Sequence, residues 1–240
     1  MPQRTMNVEQ VARYLHMLPV QVERLVKQGD IPVLDDQPRA RFRRREIDAW
    51  ASRRILGMAV RPLAEYHRET SGNTRADDGS HPLISSLLSV EGTMDALASR
   101  TRSAILHDLT ARAEALGLLY DPKCLLRSLE AREALCSTGL SGGVAVPHPR
   151  HHDPYLASSS FILLARSTQP IHYGAPDGRP TDIFLLLVCQ DDQMHLHALA
   201  RICSLFQATD LAANLRGADS AAAMHAAIAA SEQTVLETLP

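Results

Sequence analysis

Three glycines and two prolines fall within residues 139–150, Gly-Leu-Ser-Gly-Gly-Val-Ala-Val-Pro-His-Pro-Arg. They leave the chain little choice there. Glycine turns a backbone through positive φ at no steric cost, and proline cannot donate to a strand ladder. The segment predicts a glycine-rich turn, a short apolar strand at 144–146, and a stop at Pro147-His148. A histidine held at a strand end also has chemistry. Its imidazole is a nucleophile near neutral pH, and close-approaching backbone N–H groups suit phosphate oxygens.

Around this segment the body of the chain, residues 82–240, alternates helical and strand patterns, which predicts an α/β class. Residues 100–116 carry Ile105, Leu106, Leu109, Ala113 and Leu116 at helical spacing, with Gly117 at the stop. Residues 122–134 read as a second helix presenting Leu125, Leu126 and Leu129. Residues 158–165 read as a strand, 170–177 as strand or loop, and 182–189 as a buried strand. Two further helices are expected at 195–207 and 220–231.

The first 56 residues differ in character. Asn7, followed by Gln10, resembles a capping box. Val8, Val11, Ala12 and Leu15 then mark one helical face, which should stop near His16. Pro19 suits the first turn of a second helix, and Gly29 ends it. Residues 31–34 and 39–43 read as two short strands of a hairpin, or wing, around 35–38. A closing helix begins near Arg45, with Ile47 and Trp50 facing inward. Residues 1–54 carry eleven Lys/Arg and seven Asp/Glu, a net charge of +4. The whole chain is −2 at pH 7, so the remainder carries −6. A basic head on an acidic body points to a nucleic-acid contact by the head. Gln21 and Arg24 are candidates for base edges. Lys27, Arg39, Arg41 and Arg43 are candidates for phosphates or a minor groove. Between head and body, residues 57–81 include a small, polar, aperiodic stretch that reads as a flexible linker.

These pieces carry two resemblances. Residues 1–56 resemble an excisionase/MerR-like winged helix-turn-helix. Residues 82–240 resemble the fructose/mannitol-type enzyme IIA of the bacterial phosphotransferase system, most nearly its nitrogen-regulatory branch. The words that match are Ser137-Thr138-Gly139, then 143–148, Arg132-Glu133 sixteen residues before His148, Pro170-Ile171-His172-Tyr173, and His195-Leu196. Leu87-Leu88 followed by a helix resembles the family's opening segment. The resemblance implies a mixed sheet with helices on both faces. It implies that His148 accepts a phosphoryl group from a histidine phosphocarrier protein, with Arg132 as the neutralising cation and His195 as a hydrogen-bond donor. Backbone N–H groups at Thr138 and Gly139 would complete a phosphate cradle. Pro149 departs from the family, where a glycine is usual, and so does Cys136.

The expected function is a phosphorelay-receiving regulator that couples His148 to DNA binding, a phosphocarrier rather than a turnover enzyme on a small molecule. A degenerate scaffold, or a sugar-transport enzyme IIA, is the alternative. Helix-turn-helix readers commonly act as dimers on paired half-sites. No cofactor and no metal are expected. Four cysteines lack C-x-x-C spacing, and the histidines at 148, 151, 152, 195 and 197 fit no standard metal pattern. Gly139-Leu140-Ser141-Gly142-Gly143 satisfies G-x-S-x-G in form only, since a helix precedes it and a strand follows. With no apolar run of membrane length and no signal-like start, a cytoplasmic location without membrane contact is expected.

Overall fold

The computed structural model describes residues 5–15, 17–35, 39–59, 63, 82–150 and 155–238. His16, the hairpin tip at 36–38, most of the expected linker, and His151 and His152 lie outside the described residues.

The head begins with β1 (Thr5–Asn7) and α1 (Val8–Tyr14). Asn7 caps α1: its side chain accepts from Gln10 N at 2.8 Å, while the Gln10 carbonyl accepts from Asn7 N at 2.9 Å. This reciprocal pair satisfies two backbone donors that a helix start otherwise leaves open. Helix α2 (Pro19–Gln28) opens on proline and closes on Gly29 at φ 71°. Strand β2 (Arg41–Arg43) leads directly into α3 (Arg44–Leu56).

The wing departs from expectation. The partner of β2 is the N-terminal β1, antiparallel, with Met6 opposite Phe42. The expected first wing strand reduces to one bridge between Asp35 and Arg41. Met6 and Phe42 explain the choice, since both are buried and anchor the ribbon to the head's core. Ile31 is buried in the same core, while Leu34 is exposed.

The body starts with the short α4 (Ile84–Leu87), followed by β3 (Leu88–Leu97). A strand, not a helix, therefore follows Leu87-Leu88. Then come α5 (Arg102–Ala115), α6 (Pro122–Glu133), β4 (Gly139–Leu140) and β5 (Val144–Ala145). Strands β6 (Phe161–Ile171) and β7 (Thr181–Val188) precede α7 (Asp192–Ala208), α8 (Leu211–Gly217) and α9 (Ala221–Thr238). Strand β6 runs longer than its sequence pattern suggested, and β3, β4 and α8 are additional.

The five strands are ordered β3-β6-β7-β5-β4. β3 is parallel to β6 and β5 to β7, while β6–β7 and β4–β5 are antiparallel. The sheet is mixed, as expected, and helices cover both faces. Alternation along the central strands divides the core. Phe161, Leu163, Phe184 and Leu186 pack with α5 and α6, whereas Ile162, Leu164, Leu185 and Leu187 pack with α7, α8 and α9.

The second of these clusters does not end at the body. It continues through Ile47, Ala51 and Ile55 of α3 into the core of the head. Helix α3 lies across α7, and α7 is buried at every position from Met194 to Leu205.

Glu232 of α9 closes the body. Its carboxylate accepts from Ile84 N (2.7 Å), Ser85 N (2.9 Å) and Ser85 Oγ (2.8 Å), and lies 3.5 Å from Arg201 Nη1. Both charged side chains are buried. Glu232→Ala would orphan two backbone donors and strip a buried guanidinium of its counter-charge. The expected loss is about 3–5 kcal/mol, read by equilibrium urea denaturation.

Candidate functional site

Three elements deliver the histidine site. Arg132 stands in the last turn of α6, His148 follows β5, and His195 lies in the first turn of α7. All three side chains are buried, with His148 at 2% and His195 at 0% exposure.

Arg132 Nε donates to His148 Nε2 at 3.0 Å, and His148 Nδ1 meets Val146 O at 2.8 Å. These partners fix the tautomer. A carbonyl can only accept, so Nδ1 carries the proton; a guanidinium can only donate, so Nε2 keeps its lone pair. The imidazoles of His148 and His195 are 4.8 Å apart between centroids, tilted by 47°. Arg132 also donates through Nη1 to Cys136 O at 2.9 Å. Its Nη2 is buried and has no hydrogen-bond partner among the described residues.

Sequence reasoning had no means of finding the fourth member. Ser52, on α3 of the head, places Oγ 3.2 Å from His195 Nε2 in a buried contact. Arg44, also on α3, pairs with Asp192 at 2.7 Å. Beyond α3, Met58 O accepts from Gln207 Nε2 at 3.0 Å. Tyr14 Oη donates to Asp48 at 3.1 Å, and the Arg44 guanidinium lies 5.4 Å from the Tyr14 ring centroid. Burial, reinforced by Asp48 and Asp192, pushes the Tyr14 phenol upward in pKa, so it remains a neutral donor. The head is thus seated on the histidine pair.

The glycine-rich turn has a different task from the one its composition suggested. Gly142 and Gly143 adopt φ 90° and 82° to turn β4 into β5. Gly142 N donates to the Asp177 carboxylate at 2.8 Å rather than facing the histidines. Thr138 and Gly139 are likewise committed. Thr138 N donates to Glu133 at 3.1 Å, its hydroxyl bonds the same carboxylate, and Gly139 N donates to Ser137 Oγ at 3.0 Å. A Cβ on Gly139 would come within 2.9 Å of the Ala175 backbone, so close packing accounts for this glycine.

On the head, Gln21, Arg24 and Lys27 are exposed along α2, and Arg39, Arg41 and Arg43 are exposed around β2. Gln21 Oε1 already accepts from Leu18 N at 2.7 Å. That bond competes with the bidentate geometry a glutamine needs to read adenine. Arg43 donates to Glu46 at 3.1 Å. No cluster able to hold a metal ion exists among the described residues. None of their helices is long and apolar enough to cross a membrane.

Burial raises the pKa of Glu133 above its ordinary 4.5, against hydrogen bonds from Thr138. A carboxyl raised on folding binds more protons in the native than in the unfolded state. Stability therefore falls as pH climbs from the ordinary carboxylate value through the folded one. Glu133→Gln removes that slope. Denaturation curves taken between about pH 4 and pH 7 should show the parent chain losing stability relative to the variant as pH rises.

Residues 87–231 match the model of the phosphoenolpyruvate-dependent sugar phosphotransferase system EIIA 2 family, and residues 5–55 match a helix-turn-helix domain. A nitrogen regulatory protein from Bradyrhizobium diazoefficiens is 33% identical over 148 residues, covering 61% of this chain and 94% of the relative. One from Escherichia coli is 28% identical over 154 residues, covering 63% and 92%. Among solved structures, nitrogen regulatory protein IIA-Ntr from Neisseria meningitidis superposes with a TM-score of 0.55 at 23% identity, covering 60% of this chain and 98% of that one. IIA mannitol from Escherichia coli gives 0.51 at 12% identity, covering 58% and 97%.

Proposed function

The chain belongs to the phosphoenolpyruvate-dependent sugar phosphotransferase system EIIA 2 family, and from that premise we propose that it takes a phosphoryl group on His148 and couples the event to DNA binding by its head. The observation that carries this reading is the pair of hydrogen bonds on His148. Val146 O holds the proton on Nδ1, and Nε2 is left with its lone pair beside a buried arginine.

The chemistry follows. Nε2 attacks the phosphorus of a phosphohistidine on a carrier protein. The new N–P bond forms as the old one breaks, and that electron pair returns to the carrier's ring. Arg132 neutralises charge on the transferring oxygens, where positioning and electrostatics dominate such reactions. Val146 O stabilises the phosphorylated imidazole through Nδ1–H. Pro149 has no N–H to offer, which leaves Arg132 with more of the task.

Coupling rests on where the head sits. A carrier protein must reach Nε2 in line, and α3 covers the site through Ser52 and Arg44. Head and carrier therefore compete for one face. A phosphoryl group on Nε2 adds bulk where Ser52 of α3 already packs on His195, and that crowding weakens the seat. The names of the relatives, nitrogen regulatory proteins, favour regulation over sugar transport. The head reads DNA through α2, with Arg24 and Lys27 toward the groove and Arg39, Arg41 and Arg43 toward backbone phosphates.

A second reading is favoured by the 2% exposure of His148 and by Pro149: a scaffold whose site no longer accepts phosphate. Incubation with a phosphorylated histidine carrier separates the two. The expected result is a gain of one acid-labile phosphoryl group by intact mass, absent from His148→Ala and slowed about 100-fold or more in Arg132→Ala. No gain, with a donor active on another acceptor, leaves the scaffold reading. Amides of α3 should exchange faster after phosphorylation. Ser52→Ala and Arg44→Ala should accept phosphate faster than the parent.

A further inference from the structure

Where the head meets the body, an open cleft of about 620 Å³ runs beside the histidine site. Arg43, Arg45 and Arg53 line it from the head, and Arg132 and Arg150 from the body. Among the described residues the one acidic lining residue is Glu46, which is bonded to Arg43. Five guanidinium groups facing one carboxylate give a cleft of a single sign, which concentrates anions. Guanidinium also matches phosphate in shape, with two parallel N–H bonds to two oxygens.

The inner wall supplies an independent observation. Arg132 is 3% exposed, and its buried Nη2 has no partner among the described residues. A buried guanidinium nitrogen without an acceptor costs free energy that an incoming oxygen recovers. The volume lies in the range of small-molecule sites. Among the described residues the lining is dominated by guanidinium groups, so recognition rests on charge.

We propose that this cleft binds a small polyanion, a phosphorylated metabolite with at least two phosphate groups, and that the bound anion clamps the head to the body. Its arginines come from both sides of the interface, so filling the cleft replaces repulsion between head and body with attraction to a shared ligand. A phosphate held by Arg132 also stands beside His148 Nε2, the nitrogen to which Arg132 already bonds. The same ligand therefore opposes phosphorylation, and free anion and phosphocarrier act on the head in opposite directions.

Calorimetric titration of the full chain with inorganic triphosphate, and separately with ADP, tests this at physiological salt. Saturable binding of both probes is expected. Arg53→Ser on the head and Arg150→Ser on the body should each weaken it about tenfold or more. Both positions are exposed, so both variants keep the fold. Hydrogen exchange along α3 should slow when triphosphate is present. Absence of saturable binding, or equal affinity in both variants, overturns the proposal. So does unchanged α3 exchange at saturation. Loss of duplex DNA binding in both variants, with neither probe bound, would assign the arginines to nucleic-acid backbone instead. The titration needs no phosphodonor, so its failure leaves phosphoryl acceptance on His148 standing, and the reverse holds equally.

Discussion

The packing of α3 across α7 is the contact on which the rest of the molecule depends. It merges the core of the head with one face of the body's sheet. It also brings Ser52 to His195 and Arg44 to Asp192. Apolar burial supplies most of the adhesion, since Ile47, Ala51 and Ile55 contribute area that scales directly with transfer free energy. The polar contacts add direction. A hydroxyl opposite a buried imidazole and a carboxylate opposite Arg44 are satisfied in one seating of the helix and left unpaired in most others.

The site itself is a product of the sheet order. Strand β5 sits between β7 and β4, so the chain leaves it at the edge where α6 ends and α7 begins. Leu187 N bonds Pro147 O at 2.9 Å, which extends the β5–β7 pairing to the residue before His148. The histidine is therefore held by backbone ladder on one side and by Arg132 on the other. The buried group formed by Glu133, Thr138 and Tyr173 lies behind it. That group fixes the turn from α6 to β4.

Much of this was legible from residue pattern. The capping of α1 by Asn7, the limits of α2 between Pro19 and Gly29, and the buried strand at β7 follow from local chemistry. The wing is legible in part: its arms meet at the bridge between Asp35 and Arg41, one residue beyond the apolar run 31–34. The other edge of β2 takes β1, with the buried Met6 opposite Phe42, a pairing across more than thirty residues that no local period encodes. Strand β3 carries mixed burial and two register shifts, so its alternation is weak. The glycine turn shows how a composition leaves its partner open, because a carboxylate such as Asp177 satisfies backbone N–H groups as well as a phosphate does. The contribution of the head to the histidine site was out of reach. Ser52 is an ordinary helical serine until α7 is placed against it.

Helix α7 has one more consequence. Twelve consecutive buried residues leave it no side adapted to water. A helix of this kind is stable only between two apolar surfaces. Departure of the head would wet the face that α3 covers unless something else covers it. Removal of the head is accordingly an exchange of covers rather than the opening of a hinge. Whatever lifts α3 away has to bring a comparable apolar surface of its own, which restricts the choice of partner before any charge is considered.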